Sequence, residues 1–207
     1  MVDVAIDTRM RIIEAARTRL LADGYAGLST RKVAEEAGVP LSQLHYHFGS
    51  KGGLIMALFE MENQERLTRQ IHMYAEDRPL WQRYEQACDF LEDDLESGYV
   101  RVLQEMLAAG WSNPEIGDVV RDLLGRWFVL LAEVTREAER RFGALGPFTP
   151  EEIATLVANA FIGSEALLLL GFERPVMPIR SALRRIGVLI REREEAAGAV
   201  GAPIVAG

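Results

Sequence analysis

The sequence predicts an all-α fold of about nine helices, in which a small N-terminal domain with a helix-turn-helix precedes a larger helical domain. Almost every long segment repeats its apolar residues with the period of a helix, and no segment shows the sustained alternation of a strand. Glycine, proline and capping residues interrupt these repeats. The predicted domains are residues 1–52, the helix-turn-helix domain, and residues 53–195, the larger domain, followed by a Gly- and Ala-rich flexible tail in residues 196–207.

The first predicted helix carries one apolar stripe that would face the core. Asp7 or Thr8 can serve as its N-cap, and Gly24 is a typical helix stop because glycine tolerates the left-handed conformation. The stripe consists of Ile12, Ile13, Ala16, Leu20 and Leu21.

Two short helices follow and meet across a glycine turn. Ser29 opens the first, which ends before Gly38, and the second runs from Leu41 to about Phe48. In such a unit the second helix fits the major groove of duplex DNA, whose width of ~12 Å admits one α-helix. The spacing therefore predicts a helix-turn-helix that suits duplex DNA.

The later helices are marked by signals at their N-termini. Ser50 can cap a fourth helix that continues to about Tyr74, and Thr149 with Glu152 fits a capping box around Pro150. Further helix starts are marked by Pro79, by Asn113 before Pro114, and by Pro178.

Charge is distributed unevenly along the chain. Through Ile55, seven Lys and Arg residues stand against six Asp and Glu residues, whereas the remainder carries 16 against 25. The net charge of −8 disfavours a polyanionic partner for the chain as a whole. A nucleic-acid surface is therefore predicted in the near-neutral first part, which also contains both lysines.

Basic residues stand in the first turn of two predicted helices, where the helix dipole disfavours cations. Hydroxyl groups and free N–H groups at a helix N-terminus can bind a phosphate oxygen that the cations also attract. The alternative is that these cations are solvated surface charges, but the hydrogen-bonding side chains of the short helix between them favour the phosphate interpretation. The residues concerned are Ser29, Thr30, Arg31 and Lys32 in one helix, and Ser50 with Lys51 in the other.

These residues resemble the TetR family of bacterial repressors over roughly residues 8–60. The resemblance implies a three-helix N-terminal DNA-binding domain, a larger effector-binding and dimerisation domain, and repression that a small molecule relieves. Its most diagnostic residues are Gly38, Val39, Leu44, Tyr46, His47, Phe48, Ser50, Lys51 and Leu54.

By position in this pattern, the residues that would contact phosphates are Thr30, Tyr46, His47 and Lys51. The residues that would meet base edges are Arg31, Leu41, Ser42, Gln43 and His45. Gln43 and His45 depart from the commoner Thr and Tyr of the family. Because Gln can pair bidentately with adenine and His can donate to guanine, we expect these two residues to change which operator is read.

Large apolar residues recur at helical spacing through the second domain. Most such residues form plain core, and it is the family resemblance that implies a pocket, which would be mainly apolar and take an at least partly hydrophobic effector. Glu165 has three interpretations: it anchors a cationic group of the ligand, pairs with an interfacial arginine, or faces water at a helix edge. The candidate pocket residues are Trp81, Tyr84, Met106, Trp111, Trp127, Phe161 and Glu165.

The segment from Pro150 to Gly171 is apolar around most of its circumference. One buried face cannot cover that surface, so part of it is expected to meet a second copy of the chain. With the final helix it resembles the family's contribution to a four-helix dimer interface. A two-fold dimer would place two DNA-reading helices ~34–36 Å apart, about one DNA turn.

Several other classes of function are disfavoured by the sequence. It contains no HExxH, GxSxG, P-loop or GxGxxG motif, and its single cysteine, Cys88, has no nearby His, so we expect no enzyme, no metal site and no cofactor. It shows no signal peptide and no apolar run of ~20 residues, so we expect a cytoplasmic protein without a membrane partner. Two alternatives stay open: activation instead of repression, and a second domain that only dimerises or binds a protein.

Overall fold

A computed structural model describes the backbone of residues 2–200 and the side chains of residues 7–198. Over that range the chain forms nine helices, and the only β-type pairing is an isolated bridge between Arg174 and Met177. The predicted all-α class and the number of helices are confirmed. The helices are α1 (Val2–Gly27), α2 (Thr30–Ala37), α3 (Leu41–Phe48), α4 (Lys51–Ala75), α5 (Leu80–Glu96), α6 (Tyr99–Gly110), α7 (Pro114–Phe142), α8 (Pro150–Leu169) and α9 (Ile179–Val200).

The chain divides into two compact units. Unit 1 comprises the residues up to Arg66 together with Gly98–Leu123, and unit 2 comprises Leu67–Ser97 together with the residues from Leu124 onward. Unit 1 extends beyond the predicted boundary at residue 52 and includes α6, because α6 packs against α1. The assignment of separate functions to residues 1–52 and 53–195 stays a prediction.

The core of unit 1 is built on the predicted stripe of α1. Ile12, Ile13 and Ala16 are fully buried, and they share this core with Val33 of α2 and Leu44 of α3. Each buried aliphatic side chain of this size stabilises the fold by about 1.5–3 kcal/mol. The two short helices are therefore held by their apolar contacts to α1.

The start of α1 differs from the prediction, and its stop at Gly24 is confirmed. The helix already includes Asp7 and Thr8, which were expected to cap it, because the preceding residues contain neither glycine nor proline to stop it. Gly24 itself is not helical, with φ +68° and ψ 171°, and beyond this kink a second short helical segment continues to Gly27.

The predicted helix-start signals of later elements are confirmed. The hydroxyl of Thr149 accepts the N–H of Glu152 at 3.2 Å while the Glu152 carboxylate accepts the N–H of Thr149 at 2.8 Å, which completes the capping box of α8. Asn113 Oδ1 accepts the N–H of Glu115 at the start of α7, at 3.1 Å. Ser50 Oγ accepts the N–H of Gly53 at the start of α4, at 3.0 Å.

Unit 2 is a bundle in which α5 and α8 both pack against α9. Its buried core includes Tyr74, Leu80, Leu131 and Ala154. Helix α9 continues past Ala196, where the predicted tail begins, as far as Val200, and residues 201–207 of that tail lie outside the described residues.

Candidate functional site

Helix α3 presents one polar face to solvent. Leu44 is fully buried and anchors the helix, and at about 3.6 residues per turn its neighbours on the far side must point outward. Ser42 and Gln43 are exposed, and Tyr46 is 82% exposed, an unusual position for a large aromatic ring. Three predicted DNA-contacting side chains thus share one accessible surface.

The remaining predicted residues of α3 flank that surface. Leu41 and His47 are half-buried, and the His47 ring packs edge-on against Tyr46 with 5.2 Å between ring centroids. Phe48 is also half-buried, beneath the guanidinium of Arg9 at 5.4 Å. These side chains set the edges of the polar face.

The turn between α2 and α3 is fixed by backbone geometry and by an arginine that sequence analysis missed. Gly38 adopts the left-handed conformation with φ +63°, and the N–H of Val39 donates to the carbonyl of Ala34 at 3.0 Å. Arg11 of α1 donates to the carbonyl of Ala37. A Cβ at position 38 would lie 3.2 Å from the end of the flexible Arg11 side chain, so the left-handed conformation is the main reason for glycine there.

The start of α2 offers free hydrogen-bonding groups. Ser29 stands at the N-cap with an extended backbone, but its hydroxyl makes no capping hydrogen bond. Thr30 is half-buried beside it, and Arg31 is exposed. The first-turn N–H groups and the Ser29 hydroxyl are arranged as an anion site requires.

Lys32 has a protein partner that the sequence did not reveal. Its ammonium lies 3.4 Å from the carboxylate of Asp23, which also accepts a hydrogen bond from Arg19. The Arg19 hydrogen bond and, to a smaller extent, Lys32 lower the pKa of Asp23. Lys32 is therefore less available for phosphate than Arg31.

Lys51, predicted as a phosphate contact, is turned toward α1. Its ammonium donates to the carbonyl of Tyr25 and lies 4.5 Å from the centre of the Tyr25 ring. Burial lowers the pKa of Lys51. The Glu105 carboxylate accepts the N–H of Tyr25 at 3.0 Å. The backbone of Tyr25, just after the Gly24 kink, is therefore hydrogen-bonded to both Lys51 and Glu105. The structure gives Lys51 a role in positioning α1 in addition to any contact with DNA.

The hydrogen bond of His45 limits what that residue can read. His45 is exposed, and its Nδ1 lies 3.0 Å from the carbonyl oxygen of Gly49. Because a carbonyl only accepts, Nδ1 must carry the hydrogen, and Nε2 of the neutral ring is an acceptor. Neutral His45 thus suits the amino group of adenine or cytosine, and the expected donation to guanine requires the doubly protonated ring.

Unit 2 contains a half-open cavity of about 640 Å³. This volume lies within the usual range of small-molecule sites, roughly 300–1,000 Å³. Of the predicted pocket residues, only Tyr84 lines it. The walls are otherwise formed by Tyr74, Leu80, Leu131, Val134, Thr135, Ala138, Phe142, Ala144, Leu145, Gly146, Ile153, Ala154, Val157, Ile186, Leu189, Ile190 and Arg193.

A second cavity of about 40 Å³ adjoins the first and shares Tyr74, Leu131 and Val157 with it. Three predicted pocket residues line this smaller space instead: Trp127, Phe161 and Glu165. The indole of Trp127 donates to the Gln70 side chain at 2.7 Å.

The pocket prediction was wrong for the other three residues, which line neither of these two cavities. Trp111 is 85% exposed at the end of α6, and Met106 is buried in unit 1 on the helix that packs against α1. Trp81 is half-buried, with the guanidinium of Arg191 5.5 Å from its ring. Helical spacing identifies the apolar face of a helix but does not indicate whether that face meets a void.

Helix α8 keeps much of its apolar surface exposed. Leu156 is 54% exposed, and Leu169 and Leu170 at its C-terminal end are 41% and 72% exposed. Among the described helices α8 alone is long and apolar enough to cross a bilayer, with 17% of its most apolar window buried, which is weak support for a membrane helix. Within residues 7–198, no group of three or more His, Cys, Asp or Glu side chains is placed to hold a metal ion.

The family profile described as "Bacterial regulatory proteins, tetR family" matches residues 12–58, which contain the helix-turn-helix described above. An HTH-type transcriptional regulator of Mycobacterium bovis is 26% identical over 165 residues, covering 76% of this chain and 80% of that protein. A regulator of Mycobacterium tuberculosis with the same description matches to the same extent. Over residues 12–58 the chain therefore resembles the TetR family of bacterial regulators.

Solved structures share the fold of this chain. A transcriptional regulator from Saccharomonospora viridis in complex with choline superimposes with a TM-score of 0.72 at 23% identity, over 86% of this chain and 93% of that one. The regulator FadR from Bacillus subtilis in complex with stearoyl-CoA gives a TM-score of 0.70 at 16% identity, over 86% of this chain and 97% of that one. The chain is a DNA-binding transcriptional regulator.

Proposed function

We propose that the protein is a dimeric TetR-family repressor that binds a palindromic operator through α3 and releases it when a small hydrophobic effector occupies the cavity of unit 2. The observation that carries the DNA-binding half is the polar face of α3. Ser42, Gln43 and Tyr46 are exposed together on a helix whose opposite side is anchored by the buried Leu44. A surface of this kind is what major-groove reading requires.

The contacts to DNA divide into two classes. The side chain of Gln43 is exposed and makes no hydrogen bond among the described residues, so its amide is free to pair with a base. His45 would supply an acceptor in its neutral form. The N-terminus of α2, with Ser29, Thr30 and Arg31, would hold a phosphate and fix the position of α3 on the duplex.

The cavity favours a ligand-responsive regulator over one whose second domain only dimerises or binds a protein. A solid core would have supported the alternative, and unit 2 instead contains a half-open cavity of about 640 Å³ with mainly apolar walls. The structural relatives from Saccharomonospora viridis and Bacillus subtilis were solved with choline and with stearoyl-CoA. These complexes support an effector site in the same fold.

The exposed apolar side of α8 supports a dimer. Leucine side chains that are left in water at Leu156 and Leu170 would be covered by a second copy of the helix. A two-fold axis through such an interface would make the operator a palindrome. A dimer interface would also explain the apolar surface of α8 without a membrane, as we propose for a cytoplasmic protein.

The experiment that tests this proposal is selection of bound DNA from random duplexes by the purified full chain. We expect enrichment of a palindrome whose half-sites are centred about one helical turn, ~34–36 Å, apart. The variant Ser42→Ala, with a small change on the same face, should select the same symmetry with altered preference at one position per half-site. Enrichment of an asymmetric sequence, or of none, would contradict the proposal.

A further inference from the structure

The large cavity of unit 2 has apolar walls with few polar groups, and two of these groups are already used. The hydroxyl of Tyr84 donates to the carbonyl of Leu183 at 3.0 Å. The hydroxyl of Thr135 lies 2.7 Å from the carbonyl of Pro150. Neither hydroxyl has a donor hydrogen left for a ligand.

Tyr74 provides a donor inside the cavity. The residue is only 8% exposed, and it lies in the wall that the large and small cavities share. Its hydroxyl makes no hydrogen bond among the described residues. Because Tyr74 lines the cavity, its hydroxyl is free to donate a hydrogen bond to a ligand oxygen there.

Arg193 provides the only charge in the lining. It is exposed and donates to the carbonyl of Ala144 at 3.0 Å, beside Leu189, which is 65% exposed. This end of the cavity is therefore its mouth, between α9 and the segment that joins α7 to α8. Within the described residues no carboxylate lies close enough to pair with the Arg193 guanidinium, which retains donors for a ligand.

The lining contains no Asp or Glu. A cationic ligand would find no opposite charge in this cavity and would approach Arg193 with an unfavourable like charge. A carboxylate, by contrast, matches the planar fork of a guanidinium.

We infer that the effector is an amphipathic monocarboxylate: an unbranched aliphatic chain that fills the apolar cavity, with its carboxylate held by Arg193 at the mouth. Tyr74 closes the inner end and favours a chain that carries an oxygen near its far end, such as a hydroxyl or keto group. This inference rests on the proposed ligand-responsive function and specifies the class of ligand for it.

The test compares three probes of equal chain length on the purified full-length protein: dodecanoate, dodecanol and dodecyltrimethylammonium, all below their micellar concentrations. Calorimetry measures binding, and fluorescence anisotropy of a labelled operator measures release of DNA. We expect dodecanoate to bind at least tenfold more tightly than dodecanol and to release the operator. Shortening the carboxylate should weaken binding about fourfold for each methylene removed, from ~0.8 kcal/mol per buried CH₂.

Three variants separate the parts of the inference. Arg193→Gln should lower the affinity for dodecanoate to that for dodecanol. The affinity for dodecanol should not change. Arg185→Gln, an exposed position on the same helix outside the cavity, is the matched control and should change neither affinity. Tyr74→Phe should leave dodecanoate unaffected and weaken 12-hydroxydodecanoate several-fold.

The outcomes separate this inference from the proposed function. If dodecanol binds as tightly as dodecanoate, or if Arg193→Gln leaves the preference intact, the carboxylate assignment is wrong, while release of the operator by either probe still supports a ligand-responsive repressor. Tight binding of dodecyltrimethylammonium would overturn the assignment in the same way. If none of the probes binds, the inference is wrong, and operator binding by the ligand-free protein decides separately whether the DNA-binding half stands.

Discussion

Replacement of Gln43 by Ala isolates the base-reading function from the stability of the fold. The side chain is exposed, and it makes no hydrogen bond among the described residues. Surface substitutions of this kind change the free energy of unfolding by roughly 0.5 kcal/mol or less. The melting temperature of the variant should therefore match that of the parent protein.

The effect on operator binding should be large by comparison. A bidentate contact between Gln and adenine contributes about 1–3 kcal/mol of discrimination, and a two-fold dimer makes the contact twice, so a palindrome should lose about 2–6 kcal/mol. This corresponds to an affinity loss of roughly 30-fold to 10⁴-fold. Binding to random DNA should not change, because the amide carries no charge and releases no counterions.

Anisotropy titrations against the selected operator and against random duplex, each at several salt concentrations, measure both quantities. An operator with the contacted base pair changed in one half-site should show about half of the free-energy loss. The matched control is Gln82→Ala, which removes a half-buried amide on α5 of unit 2. It should change the affinity for neither the operator nor random duplex. An equal loss on operator and random DNA, or a lowered melting temperature for Gln43→Ala, would refute the reasoning.

Three further predictions concern other parts of the chain. Lys51→Met removes the hydrogen bond to the Tyr25 carbonyl and the contact with the Tyr25 ring, and should destabilise the protein by about 1–3 kcal/mol. The melting temperature should fall by roughly 2–4 °C for each kcal/mol lost. An unchanged melting temperature would argue for a lysine that contacts only DNA. Burial raises the pKa of the Cys88 thiol from 9.0 to about 11. Its alkylation by iodoacetamide at pH 8 should therefore be at least about a hundredfold slower in the folded protein than in denaturant. Comparable rates in the two states would show that the thiol is accessible. Leu156→Glu places a charge on the exposed apolar side of α8 and should shift the mass seen by light scattering from dimer toward monomer, whereas a stable dimer would place the interface elsewhere.

Local signals in the sequence were sufficient to predict most of the fold. The capping box at Thr149 and the side-chain caps at Asn113 and Ser50 each depend on residues within three positions, and each forms as predicted. The burial of Ile12, Ile13 and Ala16 likewise follows from the periodicity of one helix. Such features need no knowledge of what lies across the core.

What the sequence did not reveal are contacts between distant segments. The contact of Lys51 with DNA stays a prediction, and its partner Tyr25, which lies 26 positions away in the sequence, was not foreseen. Trp111 was expected in the pocket because of its residue type, and it is exposed because its helix ends there. One signal for the cavity was present: Arg193 continues the apolar row of Ile186 and Leu189 at helical spacing, so a charge interrupts an otherwise apolar helix face.

The wall between the two cavities of unit 2 bears on how regulators of this kind diversify. Tyr74, Leu131 and Val157 separate about 640 Å³ from a further 40 Å³, and all three belong to unit 2. Trimming Val157 to alanine would enlarge the space on both sides of this wall without altering any residue of α2 or α3. Under the proposed function, ligand length and operator sequence would then depend on separate sets of residues, so that a substitution in this wall could change the ligand while the DNA site stays the same.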